Sequence, residues 1–130
     1  MRVLSFAICL LAMLAGGCAS TDTVKEARGQ GVTRVYKYPY EPVFDATVAA
    51  AKSKELEIVE SNKITGQVVL SHGVTLLSWG ERIAVFIRIV SPTATEVEIV
   101  SKPVVSTLNF PPNWQQILFD QIDVELRARK

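Results

Sequence analysis

Beyond residue 31 the chain carries hydrophobic residues at two clear periods. Val32–Tyr38 is β-branched and aromatic and predicts a strand. Pro39 and Pro42 interrupt it, and Pro42 suits the first turn of a helix reaching about Lys54. In that helix Phe44, Val48 and Ala51 share a face, with Val43, Thr47 and Ala50 beside them. Leu56, Ile58 and Glu60 begin a second strand and Ser61-Asn62-Lys63 turns it. Ile64, Gly66, Val68 and Leu70 then fall on one face of a third. Glu81–Val90 predicts a fourth, with Ile83, Val85, Ile87 and Ile89 on one face and Ala84, Phe86 and Val90 on the other. A strand apolar on both faces belongs inside a sheet. Ser91-Pro92-Thr93-Ala94 turns into a fifth strand, Thr95–Lys102, where Glu96 and Glu98 oppose Val97 and Ile99. After a loop holding Pro111-Pro112, Trp114, Ile117, Leu118, Ile122 and Leu126 form the stripe of a helix ending near Ala128. Asn113 and Gln116 are spaced as its capping box, and Arg127, Arg129 and Lys130 suit its negative end. The order β-α-β-β-β-β-α predicts one α+β domain over residues 32–130. In it an antiparallel sheet carries two helices packed on one face.

Residues 1–31 follow another logic. Met1-Arg2 is a short positive start, residues 3–16 are apolar almost throughout, and Ala15-Gly16-Gly17 stands before Cys18. Hydrocarbon about 30 Å thick takes about 20 residues to cross, so this run is too short to span it and reads as a secretory signal peptide. Leu14-Ala15-Gly16-Gly17-Cys18 resembles the lipobox of bacterial lipoproteins, with Ala15 where Leu is commoner. That resemblance implies removal of residues 1–17, a diacylglycerol on the Cys18 sulfur and an acyl group on its new amine. Several chains anchor firmly, since each buried CH₂ adds about 0.8 kcal/mol. Ala19 follows the cysteine rather than aspartate, which implies the outer membrane, facing the periplasm, over retention at the inner membrane. The other reading is an ordinary signal peptide cut near Ala15 or Ala19. Ala19–Gly31 is polar and aperiodic, so residues 18–31 read as a lipidated cysteine and a flexible tether reaching about 20 Å.

Composition narrows the chemistry. The 130 residues are 48% hydrophobic and 21% charged, which suits one folded domain. The formal charge of +1 becomes zero once Arg2 is removed, and nucleic acid as partner needs a basic footprint. Cys9 leaves with the signal and Cys18 takes lipid, which excludes a disulfide framework, a catalytic cysteine and a cysteine metal site. His72 is the sole histidine, placed at a strand end, and a zinc site there would need three carboxylates. Glu96 and Glu98 share a strand face and can act as an acid–base pair, or simply form the solvated side of the strand. Asp120 and Asp123 lie opposite the apolar stripe of the last helix. Gly66, Gly73 and Gly80 are isolated and make no phosphate cradle. The expectation is no enzyme, no metal and no cofactor.

Two segments suggest contact instead. Tyr36, Tyr38 and Tyr40 share a face if the first strand runs to residue 40, either exposed to a partner or covering a helix. Gly73–Gly80 holds Val74, Leu76, Leu77 and Trp79 with no charge at all. It is either a hairpin tip folded back on the core, capped by Trp79, or an exposed patch for a partner or the membrane surface. Val104, Val105, Leu108 and Phe110 form a second uncharged loop, and the two loops frame one groove if they are neighbours.

The element order, behind a lipobox and a short tether, is similar to the domains of BamC-type outer-membrane assembly lipoproteins over residues 32–128. That similarity implies a helix-grip-like scaffold whose task is contact with other envelope proteins. The expected function is a lipid-anchored, non-catalytic binding module for such proteins. The alternative is a carrier or sensor of a small apolar ligand held between helix and sheet.

Overall fold

The computed structural model describes residues 20–105 and 110–130, so the expected signal peptide, Cys18 and Leu108 lie outside the described residues. Its elements run α1 (Thr21–Glu26), β1 (Val32–Tyr36), α2 (Tyr40–Ser53), β2 (Glu57–Asn62), β3 (Gln67–His72), β4 (Glu81–Ser91), β5 (Ala94–Pro103) and α3 (Trp114–Ala128). The strands form one antiparallel sheet in the order β1-β5-β4-β3-β2. Strands β2 to β5 are successive hairpins, and α2 carries the chain from β1 at one edge to β2 at the other. This is the α+β architecture that the two periods predict, with β4 in the middle.

Alternation along β4 sorts the molecule into layers. Ile83, Val85 and Ile87 face α2 and α3 in a core that also holds Phe44, Leu70, Ile99, Leu118, Phe119 and Ile122. Each of these large side chains contributes roughly 1.5–3 kcal/mol by leaving water. Ala84 and Phe86 face the opposite way and meet Val69, Val100, Val24 and Ala27. Val24 belongs to α1 and Ala27 is its C-cap, so residues 20–31 are not the flexible tether expected of them. From Ser20 on, the chain is docked on the sheet. Ser20 and Thr23 cap α1 reciprocally, Lys25 pairs with Glu60, and the Arg28 guanidinium lies 4.4 Å from the Phe86 ring centre. The Glu98 carboxylate accepts from the backbone N–H groups of Gly29 at 2.6 Å and Gly31 at 2.9 Å. The second face of the sheet therefore has a helix of its own, beyond the two expected on the first.

Local chemistry explains the remaining differences. The Asn62 side chain accepts from the N–H groups of Ile64 and Thr65, making a turn where the sequence suggests the start of a strand. Gly66, at φ +70°, closes that turn, because a Cβ there would strike the Ile87 carbonyl. Ile64 is consequently 98% exposed and β3 begins at Gln67. Ile89 and Val90 are exposed because β4 runs beyond its helical cover. Helix α2 ends in a Schellman turn, with Leu56 N–H bonded to the Ala51 carbonyl and Glu55 N–H to that of Lys52. Glu55 occupies the left-handed position at φ +56°, where glycine would be unstrained. Asn113 caps α3 as expected, but Gln116 turns down to Asp120 at 2.7 Å rather than back to the cap.

Val24→Ala should lower stability by about 2 kcal/mol, from two lost methyl groups and the cavity they leave. A loose tether would keep the change within about 0.5 kcal/mol in denaturant unfolding. Alkaline pH gives a second test. Burial, then the nearby Asp123 charge, pushes the Tyr36 phenol well above its ordinary value of 10.0. Folding thus favours the protonated phenol. That stabilisation is complete below pH 10.0 and is lost as pH rises above it. Hydrogen bonds to Asp45 and Glu41 hold Lys63 up at about 12, so its contribution also disappears on the alkaline side. Tyr36→Phe should flatten the decline above pH 10.0, read as the denaturation midpoint against pH.

Candidate functional site

The strand alternation that buries Ile83, Val85 and Ile87 also buries residue 81, and residue 81 is a glutamate. Glu81 has no exposed surface and opens β4 directly opposite His72, the last residue of β3. An unpaired carboxylate in that position is strongly unfavourable, so the surroundings must supply donors. The Ser78 hydroxyl donates to Oε1. The Trp114 indole N–H donates to Oε2 at 3.2 Å, and His72 Nδ1 lies 2.6 Å from the same oxygen. The His72 and Trp114 rings stack obliquely with centres 4.7 Å apart. One carboxylate thus ties together the end of β3, the start of β4, the first residue of α3 and the loop between the strands.

That loop is Gly73–Gly80, and it is fixed from below. Thr75 N–H bonds the Ser78 carbonyl at 2.7 Å, and the Thr75 hydroxyl accepts from Leu77 and Ser78 N–H groups. Gly80, at φ +97°, donates its N–H to the Ser78 hydroxyl at 3.1 Å. The second apolar loop is a neighbour: Phe110 N–H bonds the Leu77 carbonyl and Val104 N–H the Gly80 carbonyl, both at 2.9 Å. With polar groups turned inward, the apolar ones face out. Val74, Leu76, Leu77 and Phe110 are exposed, and Trp79 is 55% exposed. The segment 74–79 lines an open concavity of about 430 Å³. Of the two readings of this loop, the geometry is that of the exposed patch.

The tyrosines adopt the covering arrangement. Strand β1 stops at Tyr36, which is buried against the helix layer, and Tyr40 already belongs to α2. Tyr40 donates its hydroxyl to the Lys63 carbonyl at 2.6 Å, and half-buried Tyr38 lies beneath the Lys130 ammonium at 5.7 Å. Burial, and the neighbouring Glu41 charge, raise the Tyr40 phenol above its ordinary value. Tyr36, Tyr38 and Tyr40 therefore do not form an exposed row, because Pro39 starts α2 before the strand can continue.

The carboxylate pairs are divided among separate partners. Glu96 takes Arg88 through two N–H groups at 3.1 and 2.9 Å, while Glu98 holds the Gly29–Gly31 backbone. Asp123 accepts from Arg34 at 2.9 Å. In the buried cluster the carboxylate stands between serine and histidine, so Ser78 bonds Glu81 and not His72. A nucleophile–base pair needs serine on the imidazole, and this order does not provide it. Among the described residues no group of three or more His, Cys, Asp or Glu side chains is placed to hold a metal ion. No helix among them is long and apolar enough to cross a membrane. The interface between the helices and the sheet is filled by the buried side chains of the main core. No protein-family model matches the chain, and no curated protein matches it.

Sequence reasoning missed Glu81. The signal was present in its parity: residues 81, 83, 85 and 87 point the same way, and three of them are aliphatic. Glu81→Ala leaves the Ser78 hydroxyl and the Trp114 N–H without their acceptor and should lower stability by roughly 3 kcal/mol, at 1–3 kcal/mol for each orphaned group. Chymotrypsin should then cut faster after Leu76, Leu77 or Trp79. Glu81→Gln, which keeps the volume and one acceptor, should lose less by both measures.

Proposed function

We propose that the chain is a lipid-anchored, periplasm-facing envelope lipoprotein that works as a non-catalytic binding and scaffold module for other envelope proteins. The observation that carries this reading is the Gly73–Gly80 loop. Its large apolar side chains face solvent while buried Glu81 and its donors fix its base. A contact surface held in advance loses little entropy on docking, which is what a module acting by adhesion requires. The lipobox-like Leu14–Cys18 segment supports the anchor, and the outer membrane is the destination that Ala19 favours. Two sites offer themselves for contact. One is the loop end, and the other is edge strand β1, where Val32 and Val35 are exposed and, among the described residues, no strand pairs with its outer side. A carrier of small apolar ligands would need open space between helix and sheet, and packed side chains occupy that layer.

Photoreactive residues placed singly at positions 35 and 79 of the full chain, expressed in host membranes, test the module directly. A discrete envelope-protein adduct from either position supports the reading. Absence of a protein adduct from both overturns the scaffold role.

A further inference from the structure

The two edges of the sheet are built differently. Strand β2, at one edge, is interrupted by a bulge between Ile58 and Glu60 and carries Glu57 and Glu60, the latter paired with Lys25 and bonded by the Gln67 amide at 3.2 Å. Bulges and charges of this kind keep a further strand from adding. Strand β1, at the other edge, has neither device. It pairs with β5 residue for residue, from Val32 opposite Ile99 to Tyr36 opposite Thr95. Val32, Thr33 and Val35 are β-branched and exposed. The one charge of the strand is drawn off the edge: Arg34 donates to Asp123 of α3 at 2.9 Å, and its guanidinium lies 4.5 Å from the Phe119 ring centre.

The charge beside that edge says what fits it. Because Phe119 and Asp123 both meet Arg34, the helical turn between them, which holds Asp120, is level with the centre of β1. Gln116, Asp120, Asp123 and Arg127 follow one another at four- and three-residue steps, a stripe that Asp123 brings to the β1 side of α3. Asp120 is exposed, accepts from the Gln116 amide at 2.7 Å, and makes no ion pair among the described residues. Two carboxylates thus stand against one guanidinium at mid-strand.

We infer that β1 takes, as a sixth strand, an extended segment of a partner protein whose residues are largely β-branched and whose centre carries a lysine or arginine on the helix side, beside Asp120. The inference rests on the binding-module reading above and names the partner chemistry of its β1 site. In this mode main-chain hydrogen bonds supply the affinity and alternate side chains supply the choice. On the other side of the sheet the β-branched residues of the segment lie beside Thr33 and Val35. A second copy of this chain suits the edge poorly. Two β1 strands pair over their full length only about Arg34, which sets Arg34 against Arg34 and brings Asp120 towards Asp120. The Gly73–Gly80 loop keeps its own contact role.

The test uses the full chain, purified from host membranes in detergent, and the end-capped heptapeptide Ser-Thr-Val-Lys-Val-Thr-Ser, with amide hydrogen exchange as the readout. At about 1 mM peptide, exchange over residues 32–36 should slow while the amides of β3 and β4 stay as they were. Glutamate in place of the peptide's lysine should weaken binding about threefold, the size of one exposed ion pair, and Asp120→Lys should reverse that preference. Asp120 is exposed and bonds only Gln116, so this variant keeps the fold. No slowing at β1, equal slowing at β2, or binding indifferent to both changes of charge overturns the inference. So does a peptide-free dimer in sedimentation whose β1 amides are already protected, because a second copy then holds the edge. The crosslinks from positions 35 and 79 judge the scaffold role separately. Envelope-protein adducts without peptide protection at β1 defeat the added strand and leave the module standing. Protection at β1 without an adduct from either position defeats the module and upholds the preference of the edge.

Discussion

Because Ile83, Val85 and Ile87 project from one side of β4 while Ala84 and Phe86 project from the other, this strand has to be covered twice. Most of the architecture follows from that requirement. The heavier side takes α2 and α3, whose apolar stripes supply Phe44, Leu118, Phe119 and Ile122. The lighter side needs less, and a six-residue helix carrying Val24, with Ala27 at its C-cap, is enough to close it. Strands β3 and β5 flank β4 by hairpin or turn, so their own alternation is pinned to the same two faces. A slip of one residue would place Glu96 and Glu98 in the main core, which is why the register is held so firmly.

Glu81 is the exception that this alternation creates. It obeys the parity of β4 and violates its chemistry, and the molecule resolves the conflict by gathering hydrogen-bond donors around one carboxylate. Those donors come from places that have no other reason to meet: a loop serine, a strand-end histidine and the first residue of a helix. Their convergence stiffens a loop whose exposed residues are apolar. Without it, such a loop would gain by collapsing onto the domain and hiding its side chains.

The strands, the two long helices and the central place of β4 were legible because each rests on an apolar period sustained over several turns or alternations. Elements whose partners are remote were not. Helix α1 and its C-cap show only Val24 and Ala27, three residues apart in a polar stretch, and the surface they cover lies on strands more than forty residues away. The exposure of Val74, Leu76, Leu77 and Trp79 could not be read locally either. An uncharged loop looks the same whether it folds inward or outward, and here a glutamate outside the loop decides. The tyrosines were ambiguous for a related reason: their fate turned on whether Pro39 ended a strand or began a helix. Tyr36 is buried at the end of β1, Tyr38 is half-buried in the connection, and Tyr40 opens α2 beside the core.

The pairing of β1 with β5 has a consequence for how the chain reaches its native state. Val32 pairs with Ile99, and Gly29 is held by Glu98, so the segment 29–36 is bonded to residues that leave the ribosome much later. Strand β1 has no strand partner until β5 has been synthesised, whereas α1 can already meet β2, β3 and β4, and such non-local pairing makes folding slow.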